Sequence, residues 1–190
     1  MDPFWIVVIV IAVVLLGYLI SIYNHLVRLK HQVSQSWSNI DVLLKQRHDE
    51  LPKLVDSCKE HMGYESQTLQ RVIEARSAVS GARESGNVKA LGAAETLLRQ
   101  SLGSLFAVVE DYPELRASDS FVHLQQRITG LENDIADRRE FYNDAVNSLN
   151  TRIEQFPDVL VARRFSFNAA ELLKFDTAEL KDHSIKSLFS

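Results

Sequence analysis

Residues 118–156 read SDSFVHLQQRITGLENDIADRREFYNDAVNSLNTRIEQF, and this stretch decides the fold class. Phe121, Ile128, Ile135, Tyr142, Leu149 and Phe156 recur every seven residues. Leu124 and Leu131 fill a second row, which then reads Arg138, Ala145 and Arg152, while Val146 and Ile153 take over one place later. A straight helix drifts against a seven-residue repeat, so this slip marks a long bundle helix rather than a strict dimeric coiled coil. Ser118 or Asp119 caps its start and Pro157 marks its end. At about 38 residues the helix is about 55 Å long.

Working outward, residues 33–58 carry the same signature. Val33, Ile40, Arg47 and Leu54 form one row; Trp37, Leu44, Leu51 and Cys58 form the other. The register runs through Pro52 without slipping, which predicts one kinked helix stopping near Gly63, a left-handed cap. Leu69, Val72, Arg76 and Val79 predict a helix over 65–82, followed by a loop over 81–87 with Asn87 as the next cap. Leu91, Leu98, Leu102, Leu105 and Val109 predict a helix ending before Tyr112-Pro113. Residues 157–162 predict a short helix, and Asn168 to Glu171 reads as a further capping box. Alternating β-branched runs do not occur outside the N-terminal segment, so the fold class is all-α: an antiparallel up-and-down bundle.

Upstream, no charged side chain occurs from Pro3 to Asn24, and residues 4–20 are almost wholly apolar. Roughly 20 such residues cross a bilayer core of about 30 Å. The n-region Met1-Asp2-Pro3 lacks the basic residues of a secretory signal, and no small-x-small cleavage pattern follows the run. The reading is a retained transmembrane anchor over 1–24, carried by Phe4, Trp5, Ile11, Leu15 and Tyr18, whose helix continues straight into the bundle because residues 21–30 hold no breaker. Trp5, Tyr18 and Tyr23 lie near its two ends, where amphipathic rings prefer the headgroup layer. Arg28 and Lys30 flank the C-terminal side, so the positive-inside rule puts the bulk domain in the cytoplasm, with the periplasm as the alternative. The segments are thus an anchor over 1–24, a bundle over 25–175 and a loose polar tail over 176–190.

Composition narrows the chemistry. The chain of 190 residues has a net charge of −4 with both signs mixed, so it lacks the basic footprint of a nucleic-acid binder. One cysteine, Cys58, rules out an internal disulfide, and its place on an apolar row reads as a buried, inert thiol. No two of the six histidines stand at i, i+4, and neither a His-Glu-x-x-His nor a pair of Glu-x-x-His motifs is present. No Gly-x-Ser-x-Gly elbow or phosphate-cradling glycine loop occurs. The sequence calls for no metal and no cofactor, and assembles no catalytic set. What stands out is charge on the seams: Arg47 and Arg138 occupy apolar positions. Two readings stand together. Either both pair with groups such as Asp134, Glu140 or Asn143 and set helix register, or both reach out to solvent.

The linked motifs carry a family resemblance. Tyr23-Asn24-x-Leu26-Val27, Trp37-x-x-Ile40-Asp41-Val42-x-Leu44 and Arg47-His48-Asp49-x-Leu51-Pro52 are followed by Tyr112-Pro113-x-Leu115-Arg116-Ala117. Glu132-Asn133-x-Ile135-x-x-x-Arg138 and Phe141-Tyr142-Asn143 come next, then Phe156-Pro157 and Phe165. In this order they resemble the LemA family of bacterial membrane proteins over residues 23–175, and the tail departs from the family's usual ending. The resemblance implies one membrane helix followed by a long-helix bundle at the bacterial inner membrane. It implies no established enzymatic activity. A magnetosome-membrane relative points to membrane shaping, and neighbouring membrane proteases point to envelope quality control. Trp37, Ile40, Leu44, Leu51 and Leu54 are explained by packing. Asp41, Arg47, His48, Asn133, Arg138 and Asn143 are polar, and form either a buried network or a surface for the next copy.

The expected function is a non-enzymatic, membrane-anchored scaffold. Its partners are the lipid bilayer and further copies of itself in a homo-oligomer that organises or remodels the membrane. The alternative is an adaptor that docks a membrane protease or another envelope protein.

Overall fold

The computed structural model describes residues 3–62 and 66–175. These form six helices and, among the described residues, no strand: α1 Pro3–Lys59, α2 Ser66–Glu84, α3 Val88–Val109, α4 Pro113–Arg116, α5 Asp119–Glu154 and α6 Asp158–Arg164. The expected cap at Gly63 and the tail over 176–190 lie outside the described residues.

The chain divides into two compact units, and α1 and α5 each contribute to both. One unit joins the chain up to Asn39 with Arg138–Leu172. Ile22, Leu26 and Leu29 of α1 pack there on Leu149 and Ile153 of α5 and on Val161 and Ala162 of α6. Trp37 stacks near Tyr142 with ring centroids 5.4 Å apart. Early α1 meets late α5 and later α1 meets earlier α5, so these helices run antiparallel. α6 closes with Ser166 in the left-handed region at φ 56° and the Phe167 N–H returning to the Ala162 carbonyl at 2.9 Å. That reversal brings Phe165 and Phe167 onto the Tyr23 ring, at 4.8 and 5.9 Å.

The other unit joins Ile40–Asp137 with the segment from Leu173. Buried rows from four helices meet in it: Ile40, Leu44, Leu51 and Leu54; Leu69, Val72 and Val79; Leu91, Leu98 and Leu105; Phe121, Ile128 and Ile135. Arg83 reaches Asp41 and Arg76 reaches His48, so α2 runs antiparallel to α1. The α2–α3 turn is built on Gly86 (φ 66°), with the Asn87 N–H on the Ala82 carbonyl at 3.2 Å. Asn87 Oδ1 then accepts from the Ala90 N–H and caps α3. Tyr112-Pro113 opens α4 with proline at its first position, and Ser118 Oγ accepts from the Phe121 N–H to cap α5.

Three local expectations change. Gly81 lies inside α2, which runs on to Glu84, because the left-handed residue that ends it is Gly86. Phe156 is 81% exposed, because α5 stops at Glu154 and the seam stops with it. Residues 168–171 form no helix. Instead Asn150 grips Ala170 from α5, with Nδ2 donating to its carbonyl and Oδ1 accepting its N–H, both at 2.9 Å. The tyrosine hydroxyl of Tyr142 donates to the Glu171 carbonyl at 2.9 Å, so side chains supply the partners that a helix would have provided.

Candidate functional site

Arg47 is the centre of the buried polar chemistry. It follows Ile40 by seven residues on α1, and both neighbours on that row, Ile40 and Leu54, are fully buried. The helix therefore carries the guanidinium into the core, where Arg47 is 1% exposed. Its Nη2 donates to Glu95 of α3 and its Nη1 donates to Glu132 of α5. Glu95 is 3% exposed. The second oxygen of Glu132 accepts from Arg99 Nε at 3.1 Å. The result is a four-member chain of alternating sign, Glu95–Arg47–Glu132–Arg99, whose formal charges cancel.

Burial works against the charge on Arg47, but Glu95 and Glu132 together outweigh it and hold its pKa above the ordinary value. Burial pushes the Glu95 carboxyl up, and the attraction of Arg47 opposes that push. A guanidinium does not give up its proton in a protein, so this chain cannot relay one. What it does is tie α1, α3 and α5 at one level. A register error in any of the three would strand a buried charge, at a cost of about 3–5 kcal/mol.

Two further ties join α1 to α2 in the same unit. Asp41 pairs with Arg83 at 2.8 Å. His48 receives Arg76 twice: Nε donates to its carbonyl at 3.0 Å and Nη2 lies 2.7 Å from its Nε2. Arginine only donates, so Nε2 of His48 accepts and the imidazole is neutral, with its proton on Nδ1. Burial, then the nearby Arg76 charge, lower its pKa, in keeping with that state. Asp41, Arg47 and His48 therefore lace α1 to three other helices.

The other polar residues singled out in the sequence do not join them. Asp134, Glu140 and Asn143 are not the partners of Arg47; Glu95 and Glu132 are. Asn133 is exposed. Arg138 is exposed too, with its guanidinium carbon 5.9 Å from the Phe141 ring centroid. The drift of a straight helix explains this. By the fourth turn after Leu124 the inward place has moved one residue on, to the half-buried Arg139, and Val146 and Ile153 continue from there. Asn143 is half-buried in the other unit.

Sequence reading missed Glu95, although it stands four residues after Leu91 and three before Leu98, on the apolar stripe of α3. It also missed Asp158, buried at the start of α6 and paired with Arg152. Gly92 was missed as well: a Cβ there would run into the Lys174 carbonyl, so only glycine lets that strand of chain lie on α3. Cys58 is buried as expected, and burial pushes its thiol up to about 11. Among the described residues no group of three or more His, Cys, Asp and Glu side chains is placed to hold a metal.

The anchor residues stand apart from all of this. Phe4, Trp5, Ile11, Leu15 and Tyr18 are each more than half exposed. Their segment of α1 is long and apolar enough to cross a membrane.

The chain is 26% identical over 182 residues to magnetosome protein MamQ 2 of Paramagnetospirillum magneticum, covering 84% of this chain and 67% of that protein. It is 24% identical over 172 residues to MamQ of Magnetospirillum gryphiswaldense, covering 78% of this chain and 63% of that protein. The chain thus spans about two thirds of the magnetosome relatives' length. It is 26% identical over 171 residues to protein LemA of Metamycoplasma hominis, covering 84% and 75%. The profile of the LemA family matches residues 36–186, so the likeness reaches further into the tail than the quoted motifs imply. With most of its length matched, and with the membrane-length helix and all-α bundle in place, the chain belongs to the LemA family.

Proposed function

We propose that this protein is a non-enzymatic scaffold, anchored in the bacterial inner membrane, whose copies associate to organise or remodel that membrane. The observation that carries the reading is α1. One helix holds both the exposed apolar span and the residues Ile40, Leu44, Leu51 and Leu54 that build the bundle core. An anchor joined by a flexible linker would only raise local concentration. A continuous helix also passes orientation from the bilayer to the α5 and α6 segments packed on Ile22, Leu26 and Leu29 in the same unit. The buried charges of the bundle are engaged with one another in register-setting pairs, a structural use rather than a reactive one. The positive flank at Arg28 and Lys30 favours a cytoplasmic bundle. Two of the relatives are, by name, magnetosome proteins.

The test is electron microscopy of the full-length protein extracted from its membrane, beside a chain that begins at Tyr23. Rings, cages or tubes formed only by the full-length protein are the expected result. Small uniform particles in both samples would refute self-assembly and turn the search to copurifying envelope proteins.

A further inference from the structure

Beside the end of the membrane span lies an apolar groove of about 450 Å³. Leu16, Leu19, Ile20 and Tyr23 of α1 form one wall, Leu160, Arg164 and Phe165 form the other, and Val161 lies at its base. α6 is apolar on two sides. Val161 and Ala162 face the protein core, whereas Leu160 and Phe165 are more than half exposed. Among the described residues nothing covers that second side.

Depth says what does. Ile20 ends the apolar run, and Tyr23 lies about 5 Å further along the axis at 1.5 Å per residue. The headgroup layer is roughly 5–8 Å thick on each face of the bilayer. Tyr23 therefore sits in that layer, and its ring contact places Phe165 there too. Leu16, Leu19 and Ile20 lie just inside the hydrocarbon edge. The groove is continuous with the lipid-facing surface of the span, so its mouth opens on acyl chains rather than on water. The last turn of α6 adds Arg163 and Arg164, both exposed and, among the described residues, without an ion-pair partner. The Arg164 guanidinium carbon stands 5.9 Å from the Phe165 ring centroid, next to the groove. Cations at headgroup depth above an apolar slot match an anionic phospholipid: chain in the slot, phosphate at the arginines.

We infer that this groove holds an anionic phospholipid, with an acyl chain between α1 and α6 and its headgroup on Arg163 and Arg164. The inference rests on the reading of α1 as a membrane span. It makes α6 a second membrane contact, one that senses lipid charge.

The test uses the full-length protein in nanodiscs of phosphatidylcholine, with or without phosphatidylglycerol. Flotation first establishes insertion, and native mass spectrometry then counts lipids retained on the released protein. Each surface arginine adds about a five-fold preference for anionic lipid, so wild type should retain phosphatidylglycerol roughly ten- to thirty-fold over phosphatidylcholine. Arg163→Gln with Arg164→Gln should abolish the preference, and Arg163→Lys with Arg164→Lys should keep most of it. Leu160→Ser should shorten retention of both lipids. All these side chains are exposed, and circular dichroism checks that helix content is unchanged. Inserted wild type that retains both lipids equally, or a glutamine variant that keeps the preference, overturns the lipid site alone. Protein that fails to float overturns the membrane span and the site with it.

Discussion

Replacing Arg47 with methionine keeps most of the side-chain volume and removes the charge, which isolates what the buried network contributes. Glu95 is left at 3% exposure without the cation it hydrogen-bonds and with only the weaker attraction of Arg99, while Glu132 keeps its direct pair with Arg99. Breaking a buried pair from one side costs about 3–5 kcal/mol. In a chain of this size each kcal/mol moves the melting midpoint by about 2–4 °C, so Arg47→Met should lower it by roughly 6–20 °C. Thermal unfolding of the full-length protein in detergent, followed by circular dichroism, reads this directly. Arg47→Met/Glu95→Leu/Glu132→Leu should recover most or all of the loss, because removing a whole buried network avoids its desolvation. Proton linkage gives a second arm. Burial already raises Glu95 above its unfolded value, and loss of Arg47 raises it further. A carboxyl raised on folding contributes stability below its unfolded pKa and loses it as pH rises through the folded one. The gap between Arg47→Met and wild type should therefore narrow as pH falls from about 8 to about 5. A variant melting within about 2 °C of wild type, or a triple variant as unstable as the single, would refute the register argument.

Gly92→Ala should destabilise by about 1–3 kcal/mol, although the same change in an open helix gains about 1 kcal/mol. The new Cβ meets the Lys174 carbonyl, so hydrogen exchange should quicken at Leu173 to Phe175; a stabilised variant with unchanged exchange would show that the segment does not lie on α3. Cys58, held neutral by burial with its thiol near 11, should react with a thiol reagent at neutral pH at least about 100-fold more slowly in the native chain than after unfolding. Equal rates would place the thiol at the surface.

Much of this was legible because it depends on one helix at a time. The span needs only length and the absence of charge. The rows Ile40, Leu44, Leu51 and Phe121, Ile128, Ile135 need only the period of the α-helix, and all six are buried. Asn87 could be assigned as a cap, and the cap of α5 narrowed to Ser118 or Asp119, because a cap is built from residues a few places apart. Arg47 was visible as a charge on an apolar row, yet its partners were not. Glu95 and Glu132 are 48 and 85 residues away. For Arg138 the seven-residue count left burial and exposure both open, and helix drift decides for exposure by turning the half-buried Arg139 inward instead.

The sequence by itself determined the membrane-length segment, the all-α class and the inward face of each long helix, since these follow from local periodicity and transfer of apolar groups from water. Tertiary structure alone decided which carboxylates neutralise Arg47 and why Gly92 admits no side chain. It also decided that residues 168–171 are gripped by Asn150 and Tyr142 instead of forming a helix, and that α6 shares a groove with the span. Each of these depends on which distant segments come together, because ion pairs and close backbone contacts act over a few ångströms whatever the distance along the chain.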